Sequence, residues 1–261
     1  MKTLTLIAFA LAALVAAGAA PARVDRPASL GISVTPTQLT LLGAATQTLT
    51  VSNTGDGPAM IAVSTAGYAI ANDGNFVVGG SSNDNARAWL HVEPAKLRLG
   101  PGGSGIVTVT SSPPSNATPG DHHALVLLTT SPGDGTVGIR TRVGVVTLVR
   151  IAGTIVRKLT IQSVAVKNGS LLVRIANDGN VNERLLAGQV TVDIPSVPRH
   201  LRGGARDLLP NTSGDVTVPL PRSLHGRLTA IVHVRPTPAA LEGPGAVGYT
   251  TVVTRTFTIR L

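Results

Sequence analysis

Two adjacent histidines next to an aspartate are the first residues of this sequence whose types could do chemistry. Asp121, His122 and His123 stand at the start of an apolar run, and such side chains can bind a metal ion or transfer protons. Adjacent side chains of a β-strand point to opposite faces, so the two imidazoles cannot converge on one ion without a twist. The sequence shows no third ligand nearby. We therefore expect no metal site and no cofactor.

Arginine is concentrated in the second half of the chain. Residues 154–261 hold 13 basic and 6 acidic residues, whereas residues 23–153 hold 8 and 7. Because the planar guanidinium pairs well with phosphate and carboxylate, this asymmetry predicts a patch that binds an anionic polymer. Its candidate members are Arg199, Arg202, Arg206, Arg222 and Arg227. An equally good explanation is a solvated surface encoded by a genome that favours arginine codons.

The sequence lacks the common catalytic motifs. It has no G-x-S-x-G turn, no H-E-x-x-H helix and no glycine-rich phosphate loop, and its few acidic residues fall mostly in turns. Aromatic residues are only 2% of the chain, so a sugar ligand would be bound through arginine and polar groups, and Trp89 is expected in the core. We expect a binding protein and not an enzyme.

The N-terminal residues follow the pattern of an export signal. Lys2 precedes an apolar run over residues 4–17, and small residues lead to a cleavage pattern at Ala20-Pro21-Ala22. The run is shorter than the roughly 20 residues of a membrane-spanning helix. We predict a signal peptide over residues 1–22. The mature chain is then secreted or extracytoplasmic, has no integral membrane segment and does not meet nucleic acid.

Apolar and polar residues alternate over short segments, which glycine, proline, asparagine and aspartate separate. This is the pattern of half-buried β-strands, and no segment has a helical period. Strands are predicted over residues 30–34, 46–52, 59–64, 86–92, 105–110, 124–130 and 136–151, and then over 159–167, 170–176, 188–194, 214–220, 227–234 and 248–260. Between two of them, Asn168-Gly169 predicts a type I′ hairpin turn.

The second half of the chain repeats the first. Val51-Ser52-Asn53-Thr54-Gly55 recurs as Ile175-Ala176-Asn177-Asp178-Gly179, and Leu99-Gly100-Pro101 recurs as Leu208-Leu209-Pro210. The first copy is longer, and we assign the excess to the polar segment 71–85. The repetition predicts an all-β protein of two tandem immunoglobulin-like β-sandwich domains, over residues 23–153 and 154–261. No cysteine is present, so neither domain has a disulfide.

The strand predicted over residues 136–151 is the longest candidate. Its odd positions are apolar or β-branched, and its even positions carry glycine and arginine. An exposed strand edge is a template for a partner's strand, so we predict a strand-addition edge. Its candidate residues are Val143, Val145, Thr147 and Val149. The alternative is an ordinary last strand whose odd positions face the core.

The order of motifs in the first half resembles the bacterial WxL-interacting protein family. A tryptophan-containing strand that ends in proline (residues 88–94) leads to Leu97-Arg98-Leu99-Gly100-Pro101. An alternating strand, Pro113-Pro114 and Ala117-Thr118-Pro119-Gly120 follow. The resemblance implies peptidoglycan binding by the first domain and protein binding by the second. That family usually ends in a membrane-spanning helix, whereas this chain ends in a predicted strand, so the way it is retained at the surface departs from the family.

The same layout is similar to that of the periplasmic pilus chaperones. This resemblance implies that a basic pair holds a subunit's terminal carboxylate, but the matching positions here are Gly144 and Thr35-Pro36-Thr37, which are not basic. Our first hypothesis is therefore an exported, non-enzymatic protein that binds a cell-wall polymer (peptidoglycan or an anionic glycopolymer), another surface protein, or both. The second is an extracytoplasmic chaperone for pilus-like subunits that acts by strand addition.

Overall fold

The computed structural model describes residues 29, 31–79, 86–130, 140–236 and 252–261; the predicted signal peptide lies outside them. The strands of the first half are β1 Ile32–Thr35, β2 Gln38–Leu42, β3 Ala45–Asn53, β4 Ala59–Ala66, β5 Tyr68–Ile70, β6 Phe76–Val78, β7 Leu90–Glu93, β8 Lys96–Leu99, β9 Ser104–Ser111, β10 Gly120–Thr130 and β11 Arg142–Ile151. Those of the second half are β12 Leu159–Lys167, β13 Ser170–Asn177, β14 Glu183–Leu185, β15 Val190–Asp193, β16 Leu201–Arg202, β17 Arg206–Leu208, β18 Thr212–Pro219, β19 Arg227–Val234 and β20 Val253–Arg260. In the part of the chain that the structure describes, no helix is long and apolar enough to span a membrane.

Each half of the chain folds into its own β-sandwich. In the first domain, the sheet β1-β3-β9-β7 packs on the sheet β2-β11-β10-β4-β8. In the second, the sheet β12-β13-β18 packs on the sheet β16-β15-β19-β20. The two cores are separate clusters of leucine, valine and isoleucine, which alternate with outward-facing residues along each strand. The predicted all-β fold of two tandem sandwiches is confirmed.

The structure agrees with the turn predicted at Asn168-Gly169 and differs from the predicted start of several strands. The hairpin β12–β13 turns at Asn168 (φ 49°) and Gly169 (φ 70°), as predicted. The strand predicted over residues 86–92 instead opens with a 3₁₀ turn, Arg87–Trp89, before β7. β11 starts at Arg142, with residues 131–139 outside the described part, and β20 starts at Val253, with 237–251 outside it.

The polar segment 71–85 is more than a loop, because β5 and β6 form a hairpin that enters it. Tyr68 pairs with Val78 and Ile70 with Phe76, and the Ala71 N–H donates to the carbonyl of Asn75 across the turn. Apolar residues of high β propensity flank the polar turn, and this pattern favours a hairpin over a free loop. We name residues 68–78 the interdomain hairpin. Residues 80–85 lie outside the description.

A buried asparagine makes equivalent hydrogen bonds in both domains. Asn177 is fully buried; its Oδ1 accepts the Gly179 N–H, and its Nδ2 donates to the carbonyls of Val181 (2.8 Å) and Leu208 (3.1 Å). Asn53 makes the equivalent bonds in the first domain. The repeated motif therefore encodes a polar clamp that ties a turn to a neighbouring strand end.

The connection between the two sandwiches is short. Between β11 and β12 the chain has no regular strand, and Gly153 lies there with φ 136°. A Cβ at this position would come within 2.5 Å of Pro119, so glycine is needed both for its backbone conformation and for the close approach. The predicted boundary at residue 153 falls inside this connection, and the bounds of the two domains stay a prediction.

We expect Asn177→Ala to lower the free energy of unfolding by about 2–4 kcal/mol, because the Gly179 N–H and the carbonyls of Val181 and Leu208 lose their hydrogen bonds to the buried side chain. Urea unfolding followed by far-ultraviolet circular dichroism measures the change. The control is Asn72→Ala, an exposed asparagine of the interdomain hairpin, which should alter stability by less than about 0.5 kcal/mol. Equal effects of the two changes would show that the clamp is not structural.

Candidate functional site

β11 is covered on one side along its whole length and on the other along only part of it. It pairs antiparallel with β10 from Arg142 to Ile151. It pairs parallel with β2 only from Val146 to Arg150. The stretch from Arg142 to Val145 therefore has no described strand on its second side. We name this stretch the free edge.

The direction of the hydrogen bonds decides which residues are available at the free edge. The Thr130 N–H donates to the Thr141 carbonyl at 2.9 Å, so odd residues of this strand bond to β10. The Arg150 carbonyl accepts the Gly43 N–H at 2.9 Å on the opposite side. Even residues therefore point away from β10, and at the free edge the N–H and C=O groups belong to Arg142 and Gly144.

The four residues predicted for strand addition have their side chains on the inner face of β11. Val145, Thr147 and Val149 are fully buried in the first domain, and Val143 is half-buried. Their backbone groups bond to β10, and Thr147 and Val149 lie where β2 already covers the strand. Their role in strand addition stays a prediction. The residues that sequence reasoning missed are the interleaved ones, whose backbone groups face outward.

A buried carboxylate joins the two domains next to β11. The Asp121 side chain is fully buried and accepts hydrogen bonds from Arg150 Nε (2.6 Å) and Nη2 (2.9 Å). From the second domain, the Asn182 N–H donates to the same carboxylate at 2.8 Å, while the Asp121 N–H donates to the Asn180 carbonyl at 2.7 Å. The sequence interpretation considered Asp121 only beside the two histidines, as a possible metal ligand, and missed its pairing with Arg150. The signal that could have indicated this ion pair is the register of β10 and β11, which places Asp121 opposite Arg150.

The interdomain hairpin makes a second polar contact between the domains. Arg206 Nη2 donates to the Ala71 carbonyl, and the Asp215 N–H donates to the Asn72 carbonyl at 2.8 Å. A Cβ at Gly74 would lie 2.6 Å from Arg206 Nη1, so the hairpin turn approaches closely because it has glycine there. Burial lowers the pKa of the Arg206 guanidinium. The hairpin thus bridges from the first domain to the second.

Apolar side chains fill the space between these two polar contacts. Leu125 and Leu127 of β10, Tyr68 of the hairpin and Leu209 of the second domain form one cluster. Burial, with a further contribution from the charge of Asp207, raises the pKa of the Tyr68 hydroxyl. Polar contacts at both ends and an apolar centre hold the domains together.

An interdomain cavity of about 150 Å³ opens beside β11. Gln38 of β2 and Val146 of β11 line one wall, and Phe76 of the hairpin lines another. The second domain contributes Arg184 and Asp207, whose charged groups lie 3.6 Å apart and are largely exposed.

Glu183 also lines this cavity, but it is already engaged. Its carboxylate accepts bonds from Arg157 Nε (2.7 Å) and Nη2 (2.6 Å), and both side chains are fully buried. The part of β2 and β11 that borders the cavity carries Gln38 and Val146, neither of which is basic.

The five candidate arginines of the anionic patch do not form one cluster. Arg206 is buried in the contact with the hairpin. Arg202 shares a row of the sheet with His233, whereas Arg227 lies six residues from His233 along β19, about 20 Å away at about 3.4 Å per residue. The physical reason is strand geometry, which spreads residues that are close in sequence along the sheet.

The remaining two arginines are placed apart as well. Arg199 lies beside Asp193 and His200, and a hydrogen bond from His200 holds the pKa of the Asp193 carboxyl below its usual value. Arg222 is exposed in the turn before β19. A common anion site for the five is therefore not formed by this arrangement.

The adjacent histidines point to opposite faces. His122 Nε2 lies 2.9 Å from the Thr118 carbonyl and its ring packs on Trp89, while His123 packs on Tyr68. Trp89 itself packs against the first core. Within the described residues, no group of three or more His, Asp or Glu side chains is placed to hold a metal ion.

Comparison with known proteins identifies relatives by fold only. No family model matches the chain, and no curated protein matches its sequence. Among solved structures, a chain of the chaperone–tip adhesin complex of CFA/I fimbriae biogenesis is similar with a TM-score of 0.53, 13% identity and coverage of 87% of this chain and 98% of that one. The class 5 fimbriae chaperone CfaA gives 0.52, 16%, 87% and 98%, and the YadV chaperone gives 0.51, 10%, 86% and 99%.

The fold and the site together define a two-domain immunoglobulin-like protein with a free strand edge beside an interdomain cavity. Its fold is similar to that of fimbrial chaperones. The expected resemblance to the WxL-interacting family finds no support, since no family model matches. Two of these solved structures are named as chaperones.

We expect Asp121→Asn to lower the free energy of unfolding by about 3 kcal/mol, because a neutral amide replaces the buried carboxylate that pairs with Arg150. Urea unfolding followed by the fluorescence of Trp89, the only tryptophan, measures the change. Asp207→Asn breaks an exposed pair and should cost less than about 1 kcal/mol. A loss at Asp121 no larger than at Asp207 would contradict the assigned role of the buried pair.

Proposed function

We propose that this chain is an extracytoplasmic chaperone-like protein that holds a partner protein by accepting one of its β-strands at the free edge of β11. The observation that carries the proposal is the stretch Arg142–Val145 at the start of β11, which pairs with β10 but has no described strand on its second side. The predicted signal peptide supports an extracytoplasmic location. The fold similarity to chaperones of fimbriae supports the class of activity.

Main-chain groups provide the binding energy in this mechanism. Unpaired N–H and C=O groups of a strand edge prefer a partner of the same geometry, and a strand that adds there forms backbone hydrogen bonds irrespective of its sequence. Arg142 and Gly144 supply these groups here. The strand that adds would continue the line of β2, because β2 covers the same side of β11 from Val146 onward.

The interdomain cavity lies at the point where the added strand would meet β2. Gln38, the first residue of β2, and Val146 border it. A basic pair on these strands, which the chaperone resemblance implied, has no counterpart at either position. We therefore expect the partner to be held mainly by backbone pairing, with no basic anchor at Gln38 or Val146, where β2 and β11 border the cavity.

The first hypothesis, binding of a cell-wall polymer, has weaker support. The arginines on which it depended are spread over the second domain, and one of them is buried at the domain contact. The solved structures of similar fold are named as chaperones and do not point to a polymer ligand.

Gly144→Pro tests strand addition directly. Proline removes the outward N–H at position 144, which forms no bond to β10, so the domain should fold while the partner's strand loses its hydrogen bond and meets the ring. When the tagged wild-type protein is isolated from the cell envelope of its source, we expect it to retain a stoichiometric partner protein. The Gly144→Pro variant should lose at least about 90% of that partner, a tenfold loss that corresponds to about 1.4 kcal/mol.

The matched control is Arg98→Pro, which removes an outward N–H from β8 at the opposite edge of the same sheet. The Val63 N–H donates to the Ala95 carbonyl, so the even residues of β8 also point outward. This variant should retain the partner. If Gly144→Pro retains it equally, strand addition at β11 is wrong, and a wild-type protein that never holds a partner would remove the chaperone proposal altogether.

A further inference from the structure

Two positions on the outer face of the free edge, Arg142 and Gly144, differ strongly in their side chains. Arg142, Gly144 and Val146 alternate on the face of β11 that belongs to the interdomain side, since Val146 packs with the cluster of Leu125, Leu127 and Leu209. Gly144 pairs with Leu127 in the register of β10 and β11. The free edge therefore presents a charged side chain and, two residues later, a position with none.

Gly144 is exposed and leaves a gap in the row of side chains on this face of β11. A Cβ built there would lie 3.5 Å from Leu127 Cδ2 and 3.7 Å from Leu125 Cδ2, which is ordinary contact, so the glycine is not required by crowding. Its φ is not in the left-handed region, so the backbone does not require glycine either. Because the two leucines are themselves buried, a large apolar side chain on an added strand, opposite Gly144, would cover the exposed backbone of the glycine, as aromatic residues do across from glycines in sheets.

Arg142 sets the charge of the edge. Its side chain is exposed, as is that of Arg140, and no described residue forms an ion pair with it. Like charges directly opposite each other destabilise a strand pair, whereas opposite charges stabilise it. The edge therefore disfavours a basic strand.

We infer that the strand received at the free edge carries an acidic side chain opposite Arg142 and a large apolar side chain opposite Gly144, two residues apart on one face. The residue between them faces the inner side, next to Val143, which is half-buried, and is therefore apolar. This inference rests on the proposed strand addition. It names the sequence chemistry of the partner strand, which is independent of whether that strand runs parallel or antiparallel to β11.

Two short labelled peptides test the inference, one that ends in Glu-Val-Phe and one that begins with Phe-Val-Glu. In one strand direction or the other, each places Glu opposite Arg142 and Phe opposite Gly144, and it stops before Val146, where β2 covers β11. Fluorescence anisotropy with the wild-type chain should show binding about three- to tenfold tighter for the better of the two than for the same peptide with Lys in place of Glu. The same peptide with Ala in place of Phe should bind about tenfold more weakly, because it leaves the backbone of Gly144 uncovered.

Charge reversal identifies the residue responsible. Arg142→Glu should reverse the preference, so that the lysine peptide binds more tightly than the glutamate peptide. Arg98→Glu changes the net charge equally at the opposite edge of the same sheet and should leave the preference as in the wild type, which separates local pairing from general attraction to a basic protein.

The possible results separate the inference from the function beneath it. Binding that Gly144→Pro abolishes, with equal affinity for the glutamate and lysine peptides, overturns the inference and keeps strand addition. If Arg98→Glu changes the peptide preference as much as Arg142→Glu does, the inference is also overturned and strand addition is kept. No binding of any of the peptides to the wild-type chain counts against strand addition and the inference together.

Discussion

The buried carboxylate of Asp121 is the interaction on which the arrangement of this molecule depends. It lies on β10, accepts two bonds from Arg150 of β11 and one from the main chain of Asn182 in the second domain. A charge in a buried position is stable only when it is paired and hydrogen-bonded, so this carboxylate stabilises one position of the second domain relative to β10 and β11. β11 also contributes Val146 to the interdomain cavity and Arg142–Val145 to the free edge. The geometry of the candidate site therefore follows from the way this single charge is neutralised.

The interdomain hairpin adds a second constraint at the other end of the contact. Its turn approaches Arg206 closely, and its tyrosine packs with the leucines of β10. Two polar contacts separated by an apolar cluster resist both rotation and separation of the domains better than one contact could. We infer from this that the cavity beside β11 is a preformed feature of the chain, and a partner strand that binds there would not have to order the domains first.

The free edge combines features that oppose indiscriminate pairing with features that allow a selected partner. An exposed edge of a sheet is an aggregation hazard, and natural proteins reduce the hazard with charged residues and short edges. Arg142 and the short length of the uncovered stretch do both here, while Gly144 leaves room for one large side chain. In fold the chain is similar to chaperones of fimbriae, yet Gln38 and Val146 occupy the strand positions that border its cavity. Under the proposed strand addition, selectivity would depend on different side chains from the basic pair that the resemblance to pilus chaperones implied.

Local chemistry in the sequence was enough to predict the fold class, the duplication and one hairpin turn. Alternation with period two identifies strands without tertiary information, Asn168-Gly169 adopts its turn because these residues tolerate positive φ, and the repeated asparagine motif makes the same clamp in both domains. What could not be read from the sequence depends on which strands become neighbours. Only the register of β10 and β11 opposes Asp121 and Arg150. Only the partial cover by β2 distinguishes Gly144, whose outward backbone groups face no described strand, from Leu148, whose outward backbone groups face β2. Hydrogen-bond direction, burial and the spread of the arginines arise from contacts distant in sequence, so the tertiary structure alone decided the site.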